Sequence, residues 1–354
     1  MFTSNLIKWH KTENNRTMPW KGEKDPYKIW LSEIILQQTR VQQGLAYYER
    51  FIEKFPNVEK LALAKDEEVF KLWEGLGYYS RCRNLILTAR FIHQTKANKF
   101  PNTYQELINL KGVGPYTASA IASFAFGLPN AVVDGNVSRV LSRYFGSNLP
   151  IDSLSGKKYF LQLAQELLCK KDPAVYNQAI MDFGATICKP QNPLCSDCVM
   201  QKECIAYNTG TTDNLPIKEK KLTRKKRHFY YFLFIHNNRV LVNKRSSKDI
   251  WQDLSEFHLY ETNKRKEITS AFVKKYLKEQ LDLQKYKLLS ISDEYKQQLT
   301  HQNIEGVFVE IGIDEIPALL QKMLSIKIEK LSDLAFPKLI NEYLSKTNWA
   351  ENKQ

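Results

Sequence analysis

From Tyr27 to about residue 185, apolar residues recur at steps of three and four, the spacing that gives an α-helix one buried face. The pattern predicts helices over Tyr27–Phe55, Asp66–Trp73, Arg83–His93, Thr103–Leu110, Tyr116–Phe126, Val137–Phe145, Gly156–Cys169 and Ala174–Phe183. Breaks fall at Pro56, Gly75-Leu76-Gly77, Pro101, Lys111-Gly112-Val113-Gly114-Pro115 and Pro129, where the residues themselves oppose helix. Beyond residue 228 the pattern turns β-rich. Phe229–Ile235, Val240–Asn243, Lys287–Ser292 and Gly306–Ile313 read as strands, with helices near Glu267–Gln280, Glu315–Met323 and Pro337–Leu344. Residues 208–227 separate the two patterns, and from Lys218 to Arg227 they hold seven basic residues against one acid. That stretch reads as an exposed basic linker, either close to a polyanion or simply solvated. The expected architecture is mainly α over residues 1–207 and α+β over residues 228–345, joined by the 208–227 linker.

A length of 354 residues suits two or three domains, and 43% hydrophobic with 25% charged residues fits a soluble globular chain. No run of eighteen apolar residues is present and Met1-Phe2-Thr3-Ser4-Asn5 does not open a signal peptide, so a cytoplasmic protein with no membrane partner is expected. The formal charge of +14 favours polyanions, nucleic acid above all, because phosphate binding releases counterions. Six cysteines are too few and too scattered for a disulfide scaffold. Cys82 and Cys169 stand alone, whereas Cys188, Cys195, Cys198 and Cys204 fall within one loop, residues 188–204.

The spacing Cys-x6-Cys-x2-Cys-x5-Cys suits an iron–sulfur cluster, which takes four thiolates from a compact loop. Zinc is the rival, although zinc ligands more often come as two tight pairs with a longer spacer. Leu110-Lys111-Gly112-Val113-Gly114-Pro115-Tyr116 has the form of a helix-hairpin-helix within about residues 103–126. Gly112 and Gly114 let backbone amides approach a phosphate, and Pro115 suits the first turn of the next helix. Two carboxylates stand out beside these motifs. Glu33, among apolar neighbours in Trp30-Leu31-Ser32-Glu33-Ile34-Ile35, should be desolvated with a raised pKa, or else merely complement a helix dipole. Asp134, in Val132-Val133-Asp134-Gly135-Asn136, should start a helix and stay ionised there, or serve as an ordinary N-cap. Two carboxylates of unequal pKa could divide the work of a general acid and of a negative group facing a developing cation.

The cysteine spacing after a helical region resembles the endonuclease III superfamily of DNA glycosylases. Trp30-Leu31-Ser32-Glu33 with Leu36-Gln37-Gln38-Thr39, and Val133-Asp134-Gly135-Asn136-Val137 downstream, look like the adenine DNA glycosylases of the MutY type. The resemblance spans roughly residues 5–345. It implies a monofunctional glycosylase of base excision repair, acting on double-stranded DNA that carries adenine opposite 8-oxoguanine or guanine. By that resemblance Glu33 protonates the adenine ring, Asp134 stabilises or transiently bonds the sugar carbon, and Tyr116 and Asn136 support them. The four cysteines then hold one [4Fe–4S] cluster, and Leu36, Gln38, Thr39 and Tyr78 enter the duplex beside the oxidised guanine. The lyase branch of the superfamily carries a lysine where this chain has Tyr116, so no Schiff base is expected.

Residues 228–345 resemble the Nudix-like domain of the same family, without the Arg-Glu-x2-Glu-Glu stretch a hydrolytic Nudix box needs. Leu299-Thr300-His301 stands where the family's lesion-reading loop has Phe-Ser-His, which makes Thr300 and His301 candidates for contact with the lesion. A monomer is expected. Two other functions compete with this one: an endonuclease III-type lyase, which Tyr116 opposes, and a non-catalytic iron–sulfur DNA sensor, which would not need Glu33 and Asp134.

Overall fold

Helices fill the chain as far as Asn208. They run α1 (Phe2–Thr12), α2 (Pro26–Leu36), α3 (Val41–Lys54), α4 (Val58–Leu63), α5 (Asp66–Trp73), α6 (Ser80–Lys96), α7 (Tyr104–Leu107), α8 (Pro115–Phe126), α9 (Gly135–Tyr144), α10 (Leu154–Leu167), α11 (Pro173–Thr186) and α12 (Ile205–Asn208). The structure, a computed structural model, describes residues 1–219, 223–246 and 248–347. The chain divides into two units: residues 1–64 with 83–221, and residues 65–82 with 222–354.

In the first unit, α2 is apolar on nearly every side and is buried accordingly, starting at an Asp25 cap with Pro26 in its first turn. It packs on α8, whose Ala and Ser residues keep the two backbones close. A core of Leu6, Trp9, Leu141, Phe160, Ile180 and Phe183 joins α1, α9, α10 and α11. The sequence pattern did not signal α1, yet Phe2, Leu6 and Trp9 form its buried stripe, and Trp9 meets Phe183 edge-on at 4.9 Å. The helix expected over Tyr27–Phe55 is two helices. Gln37–Arg40 turn between them, with Gln38 in the left-handed region at φ 56°, and neither glycine nor proline marks the bend.

The expected 208–227 linker is shorter than its composition implied. Leu215 is buried, Ile151 N donates to Ile217 O at 3.0 Å, and Glu219 N donates to Asp152 Oδ1 at 2.9 Å, so residues 215–219 belong to the helical unit. At the other end Lys225–Arg227 already lie in a strand. Lys220, Lys221 and Leu222 lie outside the described residues.

The second unit is a mixed sheet of β1 (Lys225–His236), β2 (Arg239–Lys244), β3 (Ser255–Glu256), β4 (His258–Thr262), β5 (Lys287–Ile291), β6 (Tyr295–Gln298), β7 (Gln302–Gly312) and β8 (Leu324–Lys327). β1 runs parallel to β7, from Lys225 opposite Gln302 to Ile235 opposite Gly312, and antiparallel to β2 and β4. Both faces of β1 are buried. One packs Phe232 and Phe234 with Leu277 of α13 (Ser270–Leu281). On the other, Tyr231 stacks on Phe308 of β7, which stacks in turn at 4.0 Å on Tyr343 of α14 (Lys338–Lys346). The helix expected over Glu315–Met323 shrinks to a 3-10 turn at Ala318–Leu320, because Pro317 removes a donor and β8 begins at Leu324. The α5 segment joins this unit through hydrogen bonds from Lys71 Nζ to Leu334 O at 3.0 Å and from Phe336 N to Glu74 Oε1 at 2.8 Å. Sequence pattern alone had placed it with its helical neighbours.

Candidate active site

A cavity of about 410 Å³ in the helical unit brings Glu33, Tyr116, Asp134 and Asn136 together, with Leu36 and Thr39 also on its wall. Glu33 sits in the middle of α2 and is 8% exposed. Burial pushes its carboxyl from 4.5 up to about 7; a hydrogen bond with Tyr116 opposes the rise and nearby Asp134 adds to it. Tyr116 stands in the first turn of α8, immediately after the hairpin, and burial holds its hydroxyl protonated well above the usual range. The helix that begins at the hairpin therefore also carries a wall of the cavity.

Asp134 is the N-cap of α9. Its Oδ1 accepts from Val137 N at 2.7 Å and its Oδ2 from Asn136 Nδ2 at 2.8 Å. The helix start was expected to keep this carboxyl ionised. Burial is the larger influence and raises its pKa, while Val137, Asn136 and Arg139 pull in the expected direction without prevailing. Asn136 Oδ1 accepts from Arg139 Nη2 at 2.8 Å, and Arg139 also donates to Gly184 O at 2.6 Å and to Cys188 O at 2.8 Å. A continuous line of hydrogen bonds thus runs from Asp134 to the first cysteine of the loop.

The hairpin lies against α6. Gly112 has φ +78° and its backbone presses on Asn84, where a Cβ would sit 2.6 Å from the Asn84 Cβ. Thr88 Oγ1 donates to Lys111 O at 2.8 Å, and Gly114 N-caps α8 with open space where a Cβ would be. Cys188, Cys195, Cys198 and Cys204 are free thiols around a single small cavity of about 30 Å³. Arg143 braces that loop, donating to Lys189 O at 2.7 Å and Pro190 O at 3.1 Å, with Nη1 3.5 Å from Cys188 Sγ. Among the described residues, no three His, Cys, Asp or Glu side chains converge as on a single ion.

The remaining sequence candidates fall in two places. Gln38 is exposed in the α2–α3 turn, next to Leu36 and Thr39. In the other unit Tyr78 follows Gly77 with φ 49°, and its hydroxyl hydrogen-bonds Thr300 Oγ1. Leu299-Thr300-His301 is the turn between β6 and β7, with His301 exposed and its carbonyl accepting from Lys225 N at 2.9 Å. Sequence reasoning missed Arg139, and it missed the strap of residues 14–24 that forms the far wall of the cavity with Gln178. A buried arginine on α9 has no local signature, and the strap's partners lie more than 160 residues away.

A glycine hairpin that opens straight into a wall of a pocket holding two desolvated carboxyls is the construction of a base-excision DNA glycosylase. Residues 31–168 match the HhH-GPD superfamily of base excision DNA repair proteins, and residues 230–346 match the NUDIX domain. An adenine DNA glycosylase of Buchnera aphidicola subsp. Baizongia pistaciae is 34% identical over 85% of this chain and 83% of its own. The adenine DNA glycosylase of Mus musculus is 43% identical over 58% of this chain and 42% of its own. The chain belongs to the adenine DNA glycosylase family. A solved thermostable thymine-DNA glycosylase shares 32% identity at TM-score 0.54, over 59% of this chain and 95% of that one. A non-covalent endonuclease III–DNA complex, at 21% identity and TM-score 0.51, shares the helical fold. Among the described residues no helix is long and apolar enough to cross a membrane.

Proposed function

We propose that this enzyme releases adenine from double-stranded DNA in which adenine faces 8-oxoguanine or guanine, and that it does so as a monofunctional glycosylase. The observation that carries the reading is the Glu33–Tyr116–Asp134 cavity: one carboxyl is held near neutrality by burial while a second lines the same space. Its volume is in the range of small-molecule sites. The names of the relatives supply the base.

The reaction follows from these groups. The adenine leaves the stack and enters the cavity. Glu33, raised to about 7 and so still protonated in a large share of molecules at neutral pH, gives its proton to a ring nitrogen, so the electron pair of the breaking N-glycosidic bond passes to a neutral leaving base. Tyr116 holds the Glu33 carboxyl in place. Asp134, which accepts from Val137 N and Asn136 Nδ2, would face the sugar cation as a carboxylate and stabilise the positive charge or transiently bond the sugar carbon, and water completes the hydrolysis. Position 116 offers a phenol in place of an amine, which rules out a Schiff base through that residue.

The four-cysteine loop fits an iron–sulfur cluster. Four thiols line one space with no histidine or carboxylate among its lining residues, and burial and the neighbouring sulfurs push Cys198 up to about 11, a condition that bound iron relieves. We assign one [4Fe–4S] cluster to Cys188, Cys195, Cys198 and Cys204. When bound it would cross-link the loop to which Arg139 and Arg143 are tied. Gly112 and Gly114 are the proposed phosphate contacts, Gln38 and Tyr78 the proposed contacts within the duplex, and Thr300 with His301 the proposed lesion readers.

The test is single-turnover incubation with duplexes carrying one adenine opposite 8-oxoguanine, guanine, thymine or cytosine, followed by alkaline cleavage of abasic sites. Cleavage at adenine opposite 8-oxoguanine and guanine supports the reading. Cleavage at oxidised pyrimidines with none at adenine overturns it.

A further inference from the structure

Tyr78, the proposed contact within the duplex, is held in a backbone conformation that a bulky residue rarely adopts. Its φ is 49°, and Gly75 and Gly77 just before it have φ 87° and 78°. A tyrosine in the left-handed region is strained, and such strain persists only where neighbouring groups leave the chain no easier course.

Arg81, in the first turn of α6, supplies much of that restraint. It is 7% exposed. Its backbone N donates to Tyr78 O at 2.9 Å and its Nη2 to Gly77 O at 3.2 Å, so one residue closes the turn twice. Gly77 O also accepts from Nε1 of Trp73, the last residue of α5, at 3.0 Å. The guanidinium lies over two rings, 5.1 Å from the centre of Trp73 and 5.6 Å from that of Tyr78. A flat cation can face aromatic rings in this way, and the attraction grows where water is excluded. The far end of the Tyr78 ring is fixed as well, because its hydroxyl hydrogen-bonds Thr300 Oγ1 in the turn between β6 and β7. Tyr78, Arg81 and Thr300 all belong to the second unit. Tyr78 is thus held at its carbonyl, its ring and its hydroxyl, and Arg81 makes the first two of these contacts.

We infer that Arg81 is a positioning residue for the choice of mispair: it holds the strained Tyr78 in the orientation that meets Thr300, so that the 73–81 turn and the 299–301 turn present one rigid surface to DNA. This inference rests on the reading of Tyr78 and Thr300 as contacts to the strand opposite adenine. Arg81 is absent from the lining of the Glu33 cavity, so its loss should disturb selection more than bond breaking. Without the guanidinium the turn relaxes, Tyr78 leaves Thr300, and 8-oxoguanine is favoured less over guanine.

The experiment measures single-turnover adenine release by the full-length protein from duplexes with adenine opposite 8-oxoguanine or guanine. Arg81→Met keeps a linear buried stem and loses the cation and the side-chain donor. It should lower the 8-oxoguanine-to-guanine ratio by about two- to tenfold, the effect of one hydrogen bond. Tyr78→Ala should also lower the ratio, and adding Arg81→Met to it should lower the ratio little further. Equal slowing on both duplexes in Arg81→Met would make Arg81 merely structural and overturn the inference. So would an undiminished effect of Arg81→Met in the Tyr78→Ala background, since Arg81 would then act elsewhere. Should Arg81→Met fail to fold, Arg81→Lys decides: it keeps the charge without the flat fork, and an unchanged ratio in that variant overturns the inference. An unchanged ratio in Tyr78→Ala would instead overturn the reading on which the inference rests.

Discussion

Replacing Glu33 with Gln should slow base release on the order of a hundredfold or more and make the protein steadily more stable relative to wild type as pH rises. The fold holds the Glu33 carboxyl at about 7 against 4.5 for the free group, chiefly by burial. A carboxyl whose pKa is raised on folding supports the native state most fully below about 4.5, and that support is lost as pH rises through about 7. At about 1.4 kcal/mol per pH unit, the whole effect is about 3 kcal/mol. The amide that replaces the carboxyl has nothing to ionise, so the stability of Glu33→Gln relative to wild type should climb by roughly 2–3 kcal/mol between pH 5 and pH 8. Any fixed offset from losing the carboxyl hydroxyl cancels in that comparison. The assay is urea unfolding of both proteins at several pH values across that interval, with slopes checked for equality. A difference that stays flat with pH would show that Glu33 titrates normally in the fold. A difference that falls with pH would mean that the fold favours the ionised carboxylate, which cannot be the acid.

Three further outcomes follow from the same structure. Borohydride added during turnover should trap no appreciable covalent protein–DNA adduct, because residue 116 is a tyrosine; efficient trapping would restore the lyase reading. Anaerobically purified protein should contain iron and inorganic sulfide and absorb in the visible, and Cys198→Ser should lose both, whereas zinc without iron would refute the cluster. Changing Thr300 and His301 together to Ala should reduce the preference for adenine opposite 8-oxoguanine over adenine opposite guanine. Two hydrogen bonds of roughly 0.5–1.5 kcal/mol each put the loss at about five- to a hundredfold, and an unchanged ratio would move lesion recognition to another loop.

What could be read in the chain depended on how local each signal was. The cysteine loop and the glycine hairpin are contiguous motifs, and both appear at their expected residues. Glu33 and Asp134 were visible as unusual carboxylates in apolar and helix-start settings, but their meeting in one cavity is a tertiary fact, as is the net rise of Asp134 above what a helix cap alone would give. The α2–α3 turn escaped because Gln38 takes a left-handed conformation with no glycine to announce it. Arg139 and Asp182 escaped because each looks like a solvated charge on an amphipathic helix until its partners arrive from Cys188, Arg16 and Lys21. The attachment of residues 65–82 to the β-rich unit escaped for the same reason, since Lys71 finds Leu334 only in the folded chain.

The most direct test of the account is to measure free adenine released in a single turnover from a duplex with one adenine opposite 8-oxoguanine, by wild type and by Glu33→Gln, alongside the affinity of each for that duplex. The expected result is prompt adenine release by wild type, and release slowed on the order of a hundredfold or more in the variant with binding largely retained. Undiminished release by Glu33→Gln would remove the buried carboxyl from the chemistry and contradict the account at its centre.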